Sequence, residues 1–483
     1  MLENVLIGVY LGILGLLAVY GFHRSMLTYL FFKTKRNIPK PMSNFAPEEL
    51  PKILVQLPLF NERYVCERLI DAVTKFDYPI DKMYIQVLDD STDDTTEIAQ
   101  SKVSNVAAEG FNITLIHRED RTGYKAGALE NGLAMSDCEL VAVFDADFIP
   151  PVHILRDTVD YFTDSKVGMV QARWGHINKG YSLLTSVQSL MLDGHFVIEH
   201  GARHRSGRFF NFNGTAGIWR ISTIEDAGGW EHDTLTEDMD LSYRAQLKGW
   251  KFLYIDDIIA PAEIPVEMAS FKSQQHRWAK GSIQVCKKML PTILKSDVPF
   301  KVKLEAFFHL TANFAYLLMI FLALLLLPNL LLRTSHGWRE VLLIDLPLFF
   351  GTTGSIGAFY VTAHKELYGS PLKALAKVPL LMSLGIGLSI NNAKAVLEGV
   401  FGYETPFVRT AKHGVDTKGS NWKKKKYRAS KGIVPIIELL FAAYFVVTII
   451  VAYQGKHFIS IPFLMLFLLG YLYVGVNSLY QRR

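Results

Sequence analysis

The stretch Leu140-Val141-Ala142-Val143-Phe144-Asp145-Ala146-Asp147 decides the fold, because a short apolar run passes directly into two carboxylates. A run of this kind, without polar alternation, is typical of a strand that is buried on both faces of a parallel sheet. Two earlier runs, at 53–58 and 84–88, repeat the pattern, and helical patterns separate the three. This alternation predicts an α/β domain with a Rossmann-like, mostly parallel sheet, whose ligands bind beyond the carboxyl ends of the strands.

Polar and acidic residues follow each of the three apolar runs. Glu62 comes after the first run and Asp89 after the second, and the third ends in the D-x-D of Asp145 and Asp147. Two carboxylates on the same side of an extended turn suit Mg²⁺ or Mn²⁺, with open coordination positions for a diphosphate. A solvated acidic turn is the usual alternative for an isolated D-x-D. Because acidic groups also close a neighbouring strand, we expect a metal and nucleotide site here.

Lys125 lies in Gly123-Tyr124-Lys125-Ala126-Gly127-Ala128, a glycine-flanked turn that enters a helical pattern. Small residues at such a turn let the backbone approach a phosphate, and the lysine supplies positive charge. The alternative is an ordinary surface lysine. The neighbouring residues favour a donor-binding role.

The triplet Thr236-Glu237-Asp238 opens a helical pattern that runs from 239 to 247. Thr236 is a possible N-cap, with the two acidic residues favourably placed in the first helical turn. Capping requires only one such residue, however. A carboxylate that faces a sugar hydroxyl can act as a general base, and we assign that role to Asp238, with Glu237 beside it.

Two glycines beside an aromatic residue mark Phe212-Asn213-Gly214-Thr215-Ala216-Gly217. Glycine serves both tight turns and close approaches of the backbone to a ligand. Residue chemistry alone leaves two interpretations open, a tight turn in the core and a surface that contacts an acceptor through Phe212, Asn213 and Gly214.

The segment Gln274-Gln275-His276-Arg277-Trp278 carries the pattern Q-x-x-R-W just before the apolar C-terminal region. On a helix, residues three and four apart share one surface, so Gln274, Arg277 and Trp278 lie together. Arginine binds phosphate in a bidentate manner, and the indole face suits a sugar ring. A surface helix with an anchoring tryptophan is the alternative.

Composition divides the chain of 483 residues into a soluble-looking middle and apolar flanks. Half of the residues are hydrophobic, the mean hydropathy is +0.18, and the net charge is only +5. The basic excess sits at 33–40 and 418–431, next to apolar segments, which indicates membrane topology and not nucleic-acid binding. The three cysteines lack metal-ligand spacing and fit a reducing cytoplasm as buried apolar residues.

The hydropathy pattern predicts an integral membrane protein with five spanning helices, in a plasma, inner or Golgi-type membrane. Residues 1–35 hold a retained N-terminal span, 50–290 a cytoplasmic catalytic domain, and 291–483 the C-terminal helices. The 401–431 loop would also be cytoplasmic. We expect 378–400 to be interfacial or re-entrant, because spanning would place the lysine-rich loop outside. The remaining spans are predicted at 304–332, 341–362, 434–453 and 459–480.

With these pieces in order, the chain resembles the family 2 inverting glycosyltransferases, and specifically the processive membrane synthases. The matching pieces are L-D-D-S-T-D around Asp89, F-D-A-D-F around Asp145 and Asp147, T-E-D at 236–238 and Q-Q-H-R-W. The stretches F-N-G-T-A-G-I-W-R and E-D-M-D-L-S-Y-R-A-Q-L-K-G-W-K-F are most similar to the plant cellulose-synthase-like mannan and xyloglucan-backbone synthases. The resemblance covers about 53–288.

The resemblance implies a GT-A domain and a role for each motif. Glu62 and Asp89 would lie on the nucleotide side, with Lys125 near the diphosphate and Asp145 and Asp147 at the sugar-diphosphate and metal. Asp238 would deprotonate the acceptor, while Arg277 binds the diphosphate and Trp278 and Gln274 face the acceptor sugar. The F-V-R-T-A-K of 407–412 resembles, with one inserted residue, the F-x-V-T-x-K gating loop of cellulose synthases.

The expected function is a processive inverting β-glycosyltransferase that polymerises a hexose and threads the product through the membrane helices. We favour UDP-glucose over GDP-mannose as the donor, although no residue decides between them. The runner-up is the transfer of one sugar to a lipid acceptor such as diacylglycerol. A transporter or an inactive scaffold leaves Asp89, Asp145, Asp147 and Asp238 unexplained. Membrane lipids are the other expected partners.

Overall fold

The computed structural model describes residues 2–336, 348, 350–403, 409–410, 412–415 and 432–481. The apolar runs that the sequence analysis identified form three neighbouring strands. The strand β1 pairs in parallel with β2 on one side and with β4 on the other, and β2 pairs in parallel with β3. The carboxyl ends of all four strands therefore meet at one edge of the sheet. Their bounds are Ile53–Leu59 for β1, Met83–Asp89 for β2, Asn112–His117 for β3 and Leu140–Val143 for β4.

Three further strands extend the sheet beyond β4. They are β5 (Val167–His176), β6 (Gly217–Arg220) and β7 (Lys251–Ala262). The short strand β6 runs antiparallel to both β4 and β5, whereas β5 and β7 are parallel. The strand order is β3-β2-β1-β4-β6-β5-β7. The sheet is therefore mixed but mostly parallel, as predicted.

Helices cover both faces of this sheet because its strands are apolar on both. Side chains of β1 divide between two buried clusters, with Val55 and Leu57 on one face and Leu54 on the other. The helices of the domain are α1 (Leu2–Thr34, which precedes it), α2 (Cys66–Val73), α3 (Thr95–Ala108), α4 (Tyr124–Leu133), α5 (Ile154–Val159), α6 (Leu183–Asp193), α7 (Gly201–Arg205), α8 (Ile221–Asp226), α9 (Glu237–Leu247) and α10 (Met268–Lys295). A π-helical segment, Gly194–His200, joins α6 to α7.

The C-terminal helices pack against α1 and α10. They are α11 (Phe300–Thr311), α12 (Phe314–His336), α13 (Ser355–Tyr368), α14 (Pro371–Gly387), α15 (Ser389–Phe401), α16 (Val434–Gln454) and α17 (Ile461–Tyr480). Within the described residues, four segments are long and apolar enough to cross a membrane: Glu3–Thr34, Phe314–Ser335, Val434–Gln454 and Phe458–Tyr480.

The span predicted at 304–332 is wrong in its first part. The chain breaks between α11 and α12, and only α12 has the composition of a span. The helix α11 contains Glu305 and His309, both buried. Glu305 pairs with Arg203 at 2.9 Å and with His23 at 3.0 Å. Hydropathy averaging over the apolar neighbours hid these charged groups, which join α11 to the domain and to α1.

Two other membrane predictions remain predictions. The helices α14 and α15 are bent by 46° relative to each other, a shape that fits a broken span and a re-entrant loop equally. The beginning of the span predicted at 341–362 lies outside the described residues, as does most of the 401–431 loop.

Candidate active site

The D-x-D carboxylates lie at the carboxyl edge of the sheet, directly after β4. The backbone N–H of Asp145 donates to Thr215 Oγ1 at 2.9 Å, which fixes the turn against the loop before β6. Each carboxylate has a lysine partner. Lys125 Nζ lies 2.5 Å from Asp145 Oδ1, and Lys412 Nζ lies 2.5 Å from Asp147 Oδ2.

The same two carboxylates fit a divalent metal by their chemistry. Both are hard oxygen donors on one turn, the kind of ligand that Mg²⁺ and Mn²⁺ prefer. The Asp145 side chain is 35% exposed, so it is open to a ligand from solvent. The lysines show that the carboxylates attract positive charge. Either ammonium group can move on its flexible side chain, so that a metal ion can take its place. Asp145 and Asp147 are therefore suited to hold the metal.

Lys125 has the position that the sequence predicted, at the start of α4 after a left-handed glycine. Its Nζ donates to the carbonyl oxygen of Gly214 at 2.7 Å as well as to Asp145. Burial opposes the charge, but the carboxylates of Asp145 and Glu237 outweigh it and raise the pKa of Lys125. Lys125 therefore remains a cation between the D-x-D turn and the loop 212–217.

The loop 212–217 approaches the Asp238 carboxylate closely at Gly214. This residue has φ +79°, and a Cβ there would lie 3.0 Å from Asp238 Oδ2. Gln171, fully buried on β5, holds the loop by accepting from the N–H of Asn213 at 3.0 Å and by donating to Thr215 and Ala216 carbonyl oxygens. The loop is a tight turn that brings backbone close to Asp238, and its contact with an acceptor stays a prediction.

Phe212 does not reach an acceptor. Its side chain is fully buried and packs edge-on against Trp219, with ring centroids 5.5 Å apart. The acceptor-binding role that the sequence analysis gave to Phe212 is therefore wrong in this structure, because the ring closes the core beneath the loop. Asn213 is half-buried, and its Nδ2 lies 3.1 Å from His195 Nε2.

Asp238 and Glu237 open α9 as predicted, and both are half-buried. The Asp238 Oδ1 accepts from the N–H of Met239 at 2.8 Å. Burial and the neighbouring charge of Glu237 raise the pKa of Asp238 to about 7, although Lys125 opposes them. Burial also raises the pKa of Glu237. A carboxyl group that titrates near neutral pH is well matched to proton transfer at that pH.

Thr236 does not cap α9, because its side chain makes no capping hydrogen bond. It packs instead against Gly281 of α10, where a Cβ would come within 2.6 Å of Thr236 Cγ2. The N–H of Leu235 donates to Gln284 Oε1 at 2.9 Å. The T-E-D turn is therefore fixed directly to the helix that carries Q-x-x-R-W.

Arg277 lies in the electrostatic field of the site. Burial lowers the pKa of its guanidinium, and the carboxylates of Glu237 and Asp145 oppose that effect. Gln274 is half-buried on the same helix, and Trp278 packs against the apolar cluster beneath the site. The helix thus carries its arginine on the side of the acidic residues, and the expected binding surface shared by Gln274, Arg277 and Trp278 stays a prediction.

The nucleotide-side residues have partners that the sequence did not reveal. Glu62 is buried and lies 2.9 Å from Arg409, and burial raises the pKa of Glu62 to about 8. Asp89 is fully buried within a set of hydrogen bonds. Neither carboxylate is freely open to a ligand in this structure.

Residues 409–410 and 412–415 lie beside the D-x-D turn and Glu62, and the sequence analysis assigned no contact residue among them. Besides Lys412, they contribute the N–H groups of His413 and Val415, which donate to the buried carboxylate of Glu263 at 2.9 and 3.2 Å. The F-V-R-T-A-K resemblance was the available signal for this segment. Phe407, Val408 and Ala411 lie outside the described residues.

A second acidic cluster, made of Glu231, Asp233 and Asp240, has carboxylate oxygens close enough to bind a metal. Lys288 already occupies its centre, with Nζ 2.5, 2.8 and 3.1 Å from the three side chains. The cluster is therefore a salt-bridge network, and the D-x-D turn is the better metal candidate.

Residues 51–281 match the family model described as glycosyltransferase like family 2. Glucomannan 4-beta-mannosyltransferase 7 of Arabidopsis thaliana is 38% identical over 346 residues, which cover 69% of this chain and 62% of that protein. Glucomannan 4-beta-mannosyltransferase 1 of Oryza sativa subsp. japonica is 42% identical over 282 residues, which cover 57% of this chain and 54% of that protein. The chain thus spans less than two thirds of these curated relatives.

Among solved structures, a mannosyltransferase, PcManGT from Pyrobaculum calidifontis in complex with GDP-Man and Mn²⁺, has a similar fold. The TM-score is 0.55 at 19% identity, and the likeness covers 82% of this chain and 100% of that one. At this identity the likeness concerns the fold alone.

Proposed function

We propose that this chain, whose residues 51–281 belong to glycosyltransferase family 2 and adopt the GT-A fold, is an inverting β-mannosyltransferase. The donor is GDP-mannose and the acceptor is a growing β-linked polysaccharide. The curated relatives named above are glucomannan 4-beta-mannosyltransferases, and the similar solved structure contains GDP-Man. The preference for UDP-glucose that the sequence analysis expressed finds no support among them.

One observation carries the proposal: a carboxyl group with a pKa near neutrality lies beside the D-x-D turn. The approach of Gly214 to Asp238 and the bridge from Lys125 to Asp145 put a candidate base next to a candidate diphosphate site. An inverting transfer requires this pairing, because the acceptor hydroxyl loses a proton while negative charge builds on the departing phosphate.

In the proposed reaction, the acceptor hydroxyl oxygen attacks the anomeric carbon of the donor from the face opposite to the diphosphate. A new glycosidic C–O bond forms, the bond from the anomeric carbon to the diphosphate oxygen breaks, and GDP leaves. Asp238 takes the hydroxyl proton. Arg277 and Lys125 stabilise the negative charge on the departing diphosphate. Asp145 and Asp147 would hold a divalent metal, which would supply further Lewis-acid stabilisation of that charge.

We further propose that the chain lies in a membrane, with the catalytic domain on the cytoplasmic side and the polysaccharide threaded outward. The four apolar helices support this placement, and so does a physical link between them and α10. Lys272 of α10 pairs with the buried Glu438 of α16 at 2.5 Å. The helix that carries Arg277 and Trp278 is therefore docked on a candidate span.

The test uses the full chain purified in detergent or lipid nanodiscs with Mn²⁺. Nucleoside diphosphate release is measured with GDP-mannose, GDP-glucose and UDP-glucose, followed by linkage and length analysis of the labelled product. We expect the fastest release with GDP-mannose and a 1,4-β-linked oligomer. Release with UDP-glucose alone would refute the donor assignment. A single sugar transferred to added diacylglycerol, with no oligomer, would establish the lipid alternative in its place.

A further inference from the structure

His117 and Asp89 form a pair at the far end of the carboxyl edge, where β3 and β2 stop. The two residues are opposite each other in the parallel register. His117 Nδ1 lies 2.8 Å from Asp89 Oδ2, and the His117 side chain is 37% exposed whereas that of Asp89 is fully buried. The imidazole therefore lies between the carboxylate and solvent.

The Asp89 carboxylate is fully buried and already has three hydrogen-bond partners. Its Oδ1 accepts from the N–H of Ser91 at 3.1 Å, and its Oδ2 accepts from Thr96 Oγ1 at 2.6 Å in addition to His117. A contact between Asp89 and a nucleotide base would require the surrounding residues to move and expose the carboxylate. The exposed ring of His117 requires no such change.

The position suits the base of the proposed donor. From β4, which leads into Asp145, to β3 the edge crosses three strand spacings, about 14 Å in total. A nucleoside diphosphate whose phosphates lie at the D-x-D turn extends over a comparable distance. On this basis we infer that His117 contacts the nucleobase of the donor and that Asp89 acts through His117 as a positioning residue.

The hydrogen bonds assign a chemical role to the exposed nitrogen. A carboxylate accepts hydrogen bonds, so the Nδ1 of a neutral His117 carries the proton and donates it to Asp89. Nε2 is then an acceptor, and among the described residues no protein group donates to it. An acceptor at this point pairs with an imino or amino N–H on the edge of a base, of which guanine offers more than uracil.

Two arginines beside His117 are already committed to the walls of the site. Arg118 donates to both oxygens of Asp90, at 2.8 and 2.7 Å. The guanidinium of Arg121 stacks on the Phe60 ring, 3.3 Å from its centroid. Both guanidinium groups are therefore engaged with protein partners, and the polar contact with the edge of the base falls to His117.

The inference rests on the proposed function for its ligand, and the test separates the two. Binding of GDP, UDP and inorganic pyrophosphate to the full chain is measured by calorimetry in the presence of Mn²⁺. In His117→Ala we expect GDP to bind about three- to tenfold more weakly, the effect of one lost hydrogen bond, and pyrophosphate to bind as in the wild type. His153→Ala, which removes an exposed histidine on another loop, is the matched control.

Asp89→Asn tests the positioning role. The N–H of Ser91 orients the amide oxygen toward itself, so the amide NH₂ faces His117 and converts Nε2 from an acceptor to a donor. We expect the affinity for GDP to fall as much as in His117→Ala, with unchanged pyrophosphate binding. The variant that combines both substitutions should show no additional loss of GDP affinity.

Four results would count against these assignments. Unchanged GDP binding in His117→Ala, or equal weakening of pyrophosphate, overturns the inference alone. Additive losses in the double variant overturn the role of Asp89. A wild-type chain that binds neither GDP nor UDP overturns the proposed function, and this inference with it.

Discussion

Replacing Asp238 by asparagine tests the proposed catalytic role of this residue separately from its cost to the stability of the fold. The variant keeps the shape of the side chain but accepts no proton. Loss of a general base typically lowers turnover by about a hundred- to ten-thousand-fold. We therefore expect GDP release by Asp238→Asn to fall by at least about a hundredfold, while the affinity for GDP stays near that of the wild type.

The same substitution should lower turnover but raise stability, because the pKa of Asp238 is raised in the folded protein. The folded protein favours the neutral acid, with a pKa of about 7 against an ordinary value of 3.8. The contribution of Asp238 to wild-type stability is therefore greatest below pH 4 and falls as the pH rises from about 4 to about 7. The difference between the two pKa values corresponds to a loss of about 4 kcal/mol in the free energy of unfolding above pH 7. Because solvent reaches the half-buried carboxylate, we expect about half of this value in practice.

The assay compares apparent Tm for the wild type and Asp238→Asn between pH 4.5 and 8.5, without nucleotide or added metal. A gain of about 2 kcal/mol in the free energy of unfolding corresponds to a rise in Tm of about 4–8 °C for a domain of this size. We expect that gain above pH 7 and little of it near pH 4.5. Glu225→Gln, which neutralises an exposed carboxylate on α8, is the control and should show no such trend. Wild-type turnover in Asp238→Asn removes the base assignment, and a gain that does not vary with pH refutes the raised pKa.

Three further substitutions test the geometry of the site. Gly214→Ala forces a left-handed alanine and a Cβ 3.0 Å from Asp238 Oδ2, so we expect destabilisation by about 1–2 kcal/mol and a lower kcat; equal kcat and Tm would contradict the close approach. Arg277→Lys keeps the charge but loses bidentate phosphate binding, and kcat should fall about a hundredfold with normal Tm. Lys412→Met removes the cation beside Asp147, so Mn²⁺ should bind about tenfold more tightly by calorimetry, and weaker binding would refute the competition.

The sequence predicted the positions of those site residues that directly follow a strand. The runs before Asp89 and Asp145 are short and largely apolar, with Gln86 the one polar residue, so local pattern alone identifies β2 and β4. The parallel arrangement then requires their carboxyl ends to share an edge. The positions of Lys125 and Asp238 followed from motifs at helix starts, where a few neighbouring residues determine the local geometry.

The errors concern contacts between residues far apart in the chain. Phe212 stands beside glycines in a polar loop, and nothing local shows that Trp219 and the sheet close over its ring. Lys412 reaches Asp147 across 265 positions, a distance over which composition and periodicity carry no information. The break before α12 was missed for a related reason, because the buried partners of Glu305 lie on α1 and α7.

A single helix connects the chemistry to the proposed membrane. The helix α10 spans 28 residues, about 42 Å at 1.5 Å per residue. Near its start Lys272 is fixed to Glu438 of a candidate span, and further along Gly281 packs on Thr236 beside Asp238, the proposed base. Arg277 and Trp278 lie between these two attachments. Under the proposed function, a sugar that contacts Trp278 lies on a helix that is fixed to both the base and the apolar helices. This attachment at two points gives each proposed transfer the same starting position from which the product moves toward the membrane.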